Sequence, residues 1–128
     1  MDKKFYQLVS KNIANKHYDI VFCTTFSTFP LYTAQKIAKK RNLPLFVDLR
    51  DIEEQCPDSQ AQQHRQWWTI FARKWYRNTN IRRRNNAIKE ARVITTISPW
   101  HVEFLKQFNK NVKLIYNGFD KDEFYPLD

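Results

Sequence analysis

Glycine is almost absent from this chain, since Gly118 is the only one among its 128 residues. The loops that cradle the phosphates of dinucleotides or ATP need several glycines, because their backbone takes positive φ angles and approaches the ligand closely. The sequence therefore excludes a Gly-rich phosphate loop. If this domain serves a nucleotide-using enzyme, we expect the nucleotide to be held elsewhere.

Cysteine and long apolar runs are also scarce. Cys23 and Cys56 lie far apart and do not make a disulfide framework, and Cys23 falls in an apolar run where a buried free thiol is expected. Both features fit a reducing, cytosolic setting. There is no run of about 18 apolar residues, so we predict no transmembrane helix, and the N-terminus does not resemble a signal peptide.

The histidines are few and scattered. His17, His64 and His101 are separated without the spacing of a metal site, so we predict no metal centre. His101 follows a strand end by one helical turn, and we predict that it is a surface residue.

Two features of the composition indicate what kind of chain this is. The chain is 42% hydrophobic and 16% aromatic, which argues against disorder, and its length suits one domain with a real core. Its charge is concentrated, because residues 61–92 hold nine basic residues and one acidic residue, or +8 of the formal +9. That segment needs an explanation of its own.

The hydrophobic pattern alternates between strand and helix periodicity in the order αβαβααβαβ. This order indicates an α/β domain with a four-stranded parallel sheet and helices on both faces. The predicted strands are residues 18–25, 45–48, 93–97 and 112–116. The predicted helices are residues 3–16, a helix capped by Ser27 or Thr28, residues 60–77 and 81–91 with a break near residues 78–80, and a helix opened by Ser98 and Pro99.

Ligands of open α/β sheets bind outside the carboxyl ends of the strands. The polar candidates there are Thr25, Ser27, Asp48, Arg50, Asp51, Ser98 and Asn117. Asp51 is a candidate general base, and Arg50 can pair with it or hold an anionic group with two hydrogen bonds. The alternative is a structural ion pair between Arg50 and one aspartate. Ser98 suits an anion at a helix N-terminus, although a plain helix cap is the commoner role.

The helix predicted over residues 60–77 places five aromatic residues on about half of its circumference, with Arg73 and Arg77 on the opposite side. Rings beside cations suit an anionic membrane surface and, less strongly, single-stranded nucleic acid. A third alternative is that the aromatics are core and the cations a solvated face. The candidates for a membrane or acceptor surface are Trp67, Trp68, Arg73, Arg77, Arg82, Arg83 and Arg84.

Three motifs follow in order along the chain: PLFVDLRD at residues 44–51, EARVITTIS at 90–98 and VKLIYNGFDKDEFYP at 112–126. Together they resemble the N-terminal domain of family 4 glycosyltransferases with the GT-B fold, over residues 18–126. The last motif of that family, NG-x-D-x-x-x-F-x-P, is matched in full, whereas Arg92 stands where the family often has Asp.

The resemblance implies a fragment, because the family's domain begins with an earlier strand and a Gly-rich loop. Residues 1–128 would be one partial, acceptor-side, Rossmann-like three-layer domain that lacks the donor-binding C-terminal domain. The parent would be a nucleotide-sugar-dependent, retaining glycosyltransferase that makes cell-surface polysaccharide or glycolipid. Arg50 and Asp51 would contact the acceptor or act in catalysis, while Asn117 and Asp120 would shape the crossover to the second domain.

The implied partners follow from the same resemblance. We expect a glycan or lipid-linked acceptor, the missing donor domain and an anionic membrane surface at the cytoplasmic side, and we consider nucleic acid unfavoured. No cofactor is expected in this fragment, and the nucleotide-sugar donor belongs to the full enzyme. The charge distribution keeps one alternative open, a non-enzymatic basic module that binds anionic membrane or nucleic acid.

Overall fold

A computed structural model of the chain describes residues 2–25, 28–52, 54, 67–118 and 120. The elements in chain order are α1 (Asp2–Asn12), β1 (Val21–Thr25), α2 (Leu31–Arg41), β2 (Leu45–Leu49), α3 (Trp67–Lys89), β3 (Val93–Thr96), α4 (Pro99–Lys106) and β4 (Val112–Leu114).

The four strands form one all-parallel sheet in the order β1-β2-β3-β4. The predicted α/β class is confirmed, and four helices with a four-stranded parallel sheet are consistent with a Rossmann-like three-layer domain. The β-branched and apolar runs form these strands because such side chains fit a pleated, buried surface.

One face of the sheet carries the core. Burial alternates along β2, where Leu45, Val47 and Leu49 are buried while Phe46 and Asp48 between them are half-buried. The same core receives Leu31 and Ala38 from α2, Ala87 and Ile88 from α3, and Leu105 from α4. We call this the covered face. Right-handed crossovers between consecutive neighbouring strands place their helices on one side of the sheet, which explains why three helices share this core.

The opposite face, which we call the open face, is less covered. Phe22 of β1 pairs in register with Phe46 of β2, and its side chain is 61% exposed. The next row on this face is Thr24, Asp48, Thr95 and Lys113. Parallel sheets are normally covered on both faces, so this row lies where a buried layer is usual.

Helix α3 differs from its prediction because it runs unbroken through residues 78–80. Thr79 donates its hydroxyl hydrogen bond to the carbonyl of Trp75 at 2.8 Å, and Thr28 donates to the carbonyl of Asn80 at 2.9 Å. Polar side chains in mid-helix can thus be satisfied without a break. The Thr28 contact also joins the loop after β1 to the middle of α3.

Other boundaries shift by a few residues. Helix α1 ends at Asn12, and Arg41 donates hydrogen bonds to the carbonyls of Ile13, Ala14 and Lys16 in the turn that follows. Helix α2 begins at Leu31 after Pro30, which caps it without a side-chain bond, and Ser27 lies outside the described residues. Cys23 is the buried free thiol that the sequence predicts, and burial raises its pKa to about 11. Cys56 lies outside the described residues.

Candidate ligand site at the carboxyl end of the sheet

Asp48 is the centre of the polar row on the open face. Its Oδ2 accepts a hydrogen bond from Thr24 Oγ1 at 3.0 Å, and its Oδ1 accepts one from Thr95 Oγ1 at 2.7 Å. The parallel register puts both threonines beside Asp48 on neighbouring strands. Both carboxylate oxygens are therefore occupied by the chain itself.

Arg50 completes this group from just beyond the end of β2. Its Nε donates to Asp48 Oδ2 at 3.2 Å, and its Nη1 donates to Asn117 Oδ1 at 3.2 Å. The Arg50 side chain is 59% exposed, while that of Asp48 is 15% exposed. The guanidinium is thus fixed at two points and still open to solvent.

These contacts set the charge of Asp48. Partial burial alone would raise the pKa of this carboxyl group, but hydrogen bonds from Thr95, Arg50 and Thr24, with the charge of Arg50, lower it below its usual value. Asp48 is therefore ionised at neutral pH and suited to orienting Arg50. Three of the roughly four acceptor sites of Asp48, a predicted substrate-binding residue, are used by Thr24, Thr95 and Arg50.

The structure separates the predicted pair of Arg50 and Asp51. Arg50 forms its ion pair with Asp48, which is the structural ion pair considered above as the alternative. Asp51 is exposed and lies close enough to His101 for its charge to raise the pKa of that imidazole. The two predicted catalytic residues consequently belong to different local groups.

His101 is buried, and its prediction as a surface residue is wrong. It is 2% exposed, and its Nδ1 lies 3.0 Å from Thr96 Oγ1 on the covered face. Burial lowers the pKa of His101, and the charge of Asp51 opposes that shift. The sequence contains a pattern that indicates this burial, because His101 and the buried Leu105 are four residues apart and therefore share one face of α4.

The other predicted ligand residues have local roles. Ser98 is the N-cap of α4 and accepts the amide of Val102 through its backbone carbonyl at 3.1 Å, but its hydroxyl makes no cap bond. Thr25 donates its hydroxyl to the carbonyl of Phe29 at 2.9 Å. Asn117 is the member of this group that contacts Arg50, and Ser27 lies outside the described residues.

Arg84, predicted as a surface residue, is instead buried. It is 1% exposed, and its Nη1 donates to Glu54 Oε2 at 2.7 Å while Nη2 binds Oε1 in a two-point ion pair. Burial alone would raise the pKa of Glu54, but hydrogen bonds and charge from Arg84 lower it. The surface prediction for Arg84 is wrong because the inner side of α3 faces this carboxylate.

Most of the other described side chains of α3 that were predicted to form a surface are exposed. Phe71, Trp75 and Tyr76 are exposed, as are Arg82 and Arg83, whereas Arg77 is half-buried. The side chains of Trp67, Trp68 and Arg73 lie outside those that the structure describes. The α3 sequence contains no acidic residue, so a carboxylate partner for its cations comes from another segment, as Glu54 does for Arg84.

Comparison with known proteins identifies no family for this chain. No protein-family model matches the chain, and no curated protein matches it. None of the described helices is long and apolar enough to cross a bilayer. Across the described ranges, no three His, Cys, Asp or Glu side chains converge as a metal-binding group.

Proposed function

We propose that this chain is the acceptor-binding half of a nucleotide-sugar-dependent glycosyltransferase that makes cell-surface polysaccharide or glycolipid. The observation that carries the proposal is the contact between Arg50 and Asn117 at 3.2 Å. It joins the VDLRD segment to the YNGFD segment at the carboxyl end of a parallel sheet, where ligands of such sheets bind. These are the two segments on which the family resemblance depends.

The proposed roles follow from this geometry. Arg50 contacts the acceptor, since its guanidinium is held by Asp48 and open to solvent. Asp51 is the candidate general base, because it is exposed at the same edge and is not paired with Arg50. Sugar transfer relies on holding the acceptor hydroxyl near the anomeric carbon and stabilising the departing diphosphate. The second task falls to a separate donor domain that binds the nucleotide sugar.

A transfer assay tests this division of labour. We expect the purified 128-residue chain to transfer no sugar from radiolabelled nucleotide sugars to glycan or lipid acceptors. In a parent protein that includes a donor domain, Asp51→Asn should lower kcat by about 10²-fold or more, as loss of a positioned base does. Arg92→Gln, an exposed change at the amino end of the sheet, should leave kcat unchanged. Transfer by the isolated chain, or normal turnover by Asp51→Asn, would contradict these roles.

A second candidate function is binding of a cytoplasmic, anionic membrane surface by α3. Phe71, Lys74, Trp75 and Arg82 recur at spacings of three, four and seven residues, and all four side chains are exposed. Rings at headgroup depth beside cations suit a lipid interface. This surface fits a peripheral enzyme with a lipid-linked acceptor, and it also fits a non-enzymatic basic module.

Vesicle co-sedimentation separates these partners. The chain should bind vesicles with 30% anionic lipid more tightly than neutral vesicles, and Trp75→Ala should weaken binding. Trp100→Ala, which removes an exposed indole from α4, is the matched control. Equal binding to neutral vesicles, or a stronger salt-dependent shift of single-stranded DNA, would remove the membrane candidate.

A further inference from the structure

On the open face of the sheet, the Arg50 guanidinium is held in a fixed position by neighbouring side chains. Arg50 is fixed by Asp48 through Nε and by Asn117 through Nη1. A guanidinium has five N–H donors, so three of them remain without a partner among the residues that the structure describes. Because the side chain is largely exposed, these donors are accessible to a ligand.

The support behind Arg50 is a row of side chains on three strands. Thr24 and Thr95 donate one hydrogen bond each to Asp48, and they hold its carboxylate from both sides. A carboxylate restrained in this way has one orientation toward Arg50. Restraining a side chain before binding lowers the entropy that the ligand contact must offset.

Charge and apolar surface on the same face define the ligand further. Asp48 is matched by Arg50, and exposed Lys113 lies in register with Thr95, so this row has a surplus of positive charge. Phe22 exposes its ring on the same face, two residues before Thr24. An anionic group is the ligand chemistry that this row accommodates, and Phe22 adds apolar surface elsewhere on the same face.

From this geometry we infer that Arg50 binds an anionic group of the sugar acceptor, a phosphate or a carboxylate, and that Asp48, Thr24 and Thr95 are positioning residues. The inference rests on the proposed function for the identity of the ligand as an acceptor. Planar guanidinium donors match phosphate and carboxylate oxygens with two parallel hydrogen bonds.

The negative charge of Asp48 makes its role testable. If only net charge mattered, removing a carboxylate near the site would strengthen the binding of an anion. If Asp48 positions Arg50, the same change weakens binding, because the guanidinium loses its Nε partner. A substitution that removes the Thr95 hydroxyl separates positioning from net charge, because that hydroxyl binds Asp48 and its loss changes no charge.

The test is a titration of the isotopically labelled 128-residue chain, followed by the NMR signal of the Arg50 Nε–H group at constant ionic strength. The probes are glucose 1-phosphate, glucuronate and uncharged glucose. We expect a saturable shift with at least one anionic sugar and none with glucose. The stronger of the two anions distinguishes a phosphate site from a carboxylate site. Equal shifts with glucose, or no saturable shift with either anion, would overturn the inference.

Variants then assign the roles. Arg50→Gln should weaken anion binding about tenfold or more, the value of a charge-assisted contact. Thr95→Val and Asp48→Asn should each weaken it about threefold or more, and Thr95→Ser should restore it, since a hydroxyl is retained. Arg92→Gln should change nothing. Unchanged binding in Thr95→Val, or tighter binding in Asp48→Asn, would overturn the positioning role. Because the titration needs no sugar transfer, its outcome is independent of whether the parent is a glycosyltransferase.

Discussion

Arg50 donates a hydrogen bond through Nη1 to Oδ1 of Asn117 at 3.2 Å, across 67 residues of sequence. The contact joins the end of β2 to the segment that follows β4, on a sheet whose outer strands are β1 and β4. Because the same arginine binds Asp48, one guanidinium connects the row on the open face to the Asn-Gly motif. The candidate site is defined by this link.

Because the two faces of the sheet are unequally covered, we predict that truncating a side chain destabilises the fold more on the covered face than on the open face. Leu49→Ala removes a fully buried side chain and should lower the free energy of unfolding by about 2–5 kcal/mol. Phe22→Ala removes an exposed ring from the open face and should cost about 0.5 kcal/mol or less. Urea denaturation of both variants measures the difference. Equal costs would mean that the open face is buried in the folded chain.

The buried ion pair of Arg84 and Glu54 predicts a large and specific effect. Arg84→Ala leaves Glu54 without its partner and should lower the free energy of unfolding by about 3 kcal/mol. Arg82→Ala, two residues away and exposed, is the control and should change it by about 0.5 kcal/mol or less. A small effect of Arg84→Ala in urea denaturation would show that this ion pair does not stabilise the fold.

His101 predicts a pH dependence of stability. Its pKa is lowered in the folded chain from an ordinary value of 6.5. Between the folded and unfolded pKa values the unfolded chain binds more protons, so stability falls as pH drops below about 6.5. His101→Gln should flatten this part of the profile of unfolding free energy.

The acidic groups titrate in a separate, lower window. Hydrogen bonding and charge lower the pKa values of Asp48, Glu54 and Glu90, so their stabilising contributions are lost only below about pH 4.5, as those carboxylates take up protons. A free energy of unfolding that stays constant between pH 5 and 7 in the unmodified chain would contradict the conclusion that His101 is buried in its neutral form.

Asn109 predicts the last stability effect. Its Nδ2 donates to the carbonyls of Ile88 and Ala91 at 2.8 Å each, and its Oδ1 accepts the amide of Asn111. It therefore satisfies the end of α3 and the turn before β4. Asn109→Ala should lower the free energy of unfolding by about 1–3 kcal/mol, since part-buried carbonyls lose their donor. Asn86→Ala, on the exposed side of α3, is the control in the same denaturation series.

Much of the fold was predictable because local patterns determine it. The apolar runs at β1 and β2 and the β-branched runs at β3 and β4 give strands wherever the rest of the chain can cover one face. Alternation of strands and helices then requires parallel pairing. The break predicted near residues 78–80 was wrong, because Asn and Thr lower helix propensity by amounts that packing along a long helix overrides.

The candidate site was only partly predictable, since it depends on which face each side chain occupies. The sequence located Arg50 and Asn117 at strand ends, but their contact depends on sheet order. The burial of Arg84 could not be read from a run of arginines, because its partner Glu54 lies in a segment that composition marks as a polar loop. Thr24 and Thr95 looked like ordinary strand residues, and only the register places them on Asp48.

The most direct test of the central claim is equilibrium binding of two ligand panels to the 128-residue chain, one of glycans and lipid-linked sugars and one of nucleotide sugars. We predict saturable binding within the first panel, weakened about tenfold or more in Arg50→Gln and kept in Arg92→Gln, and no binding of nucleotide sugars beyond the weak contact of their phosphates with Arg50. Tight binding of a nucleotide sugar, or glycan binding that is unchanged in Arg50→Gln, would contradict the claim.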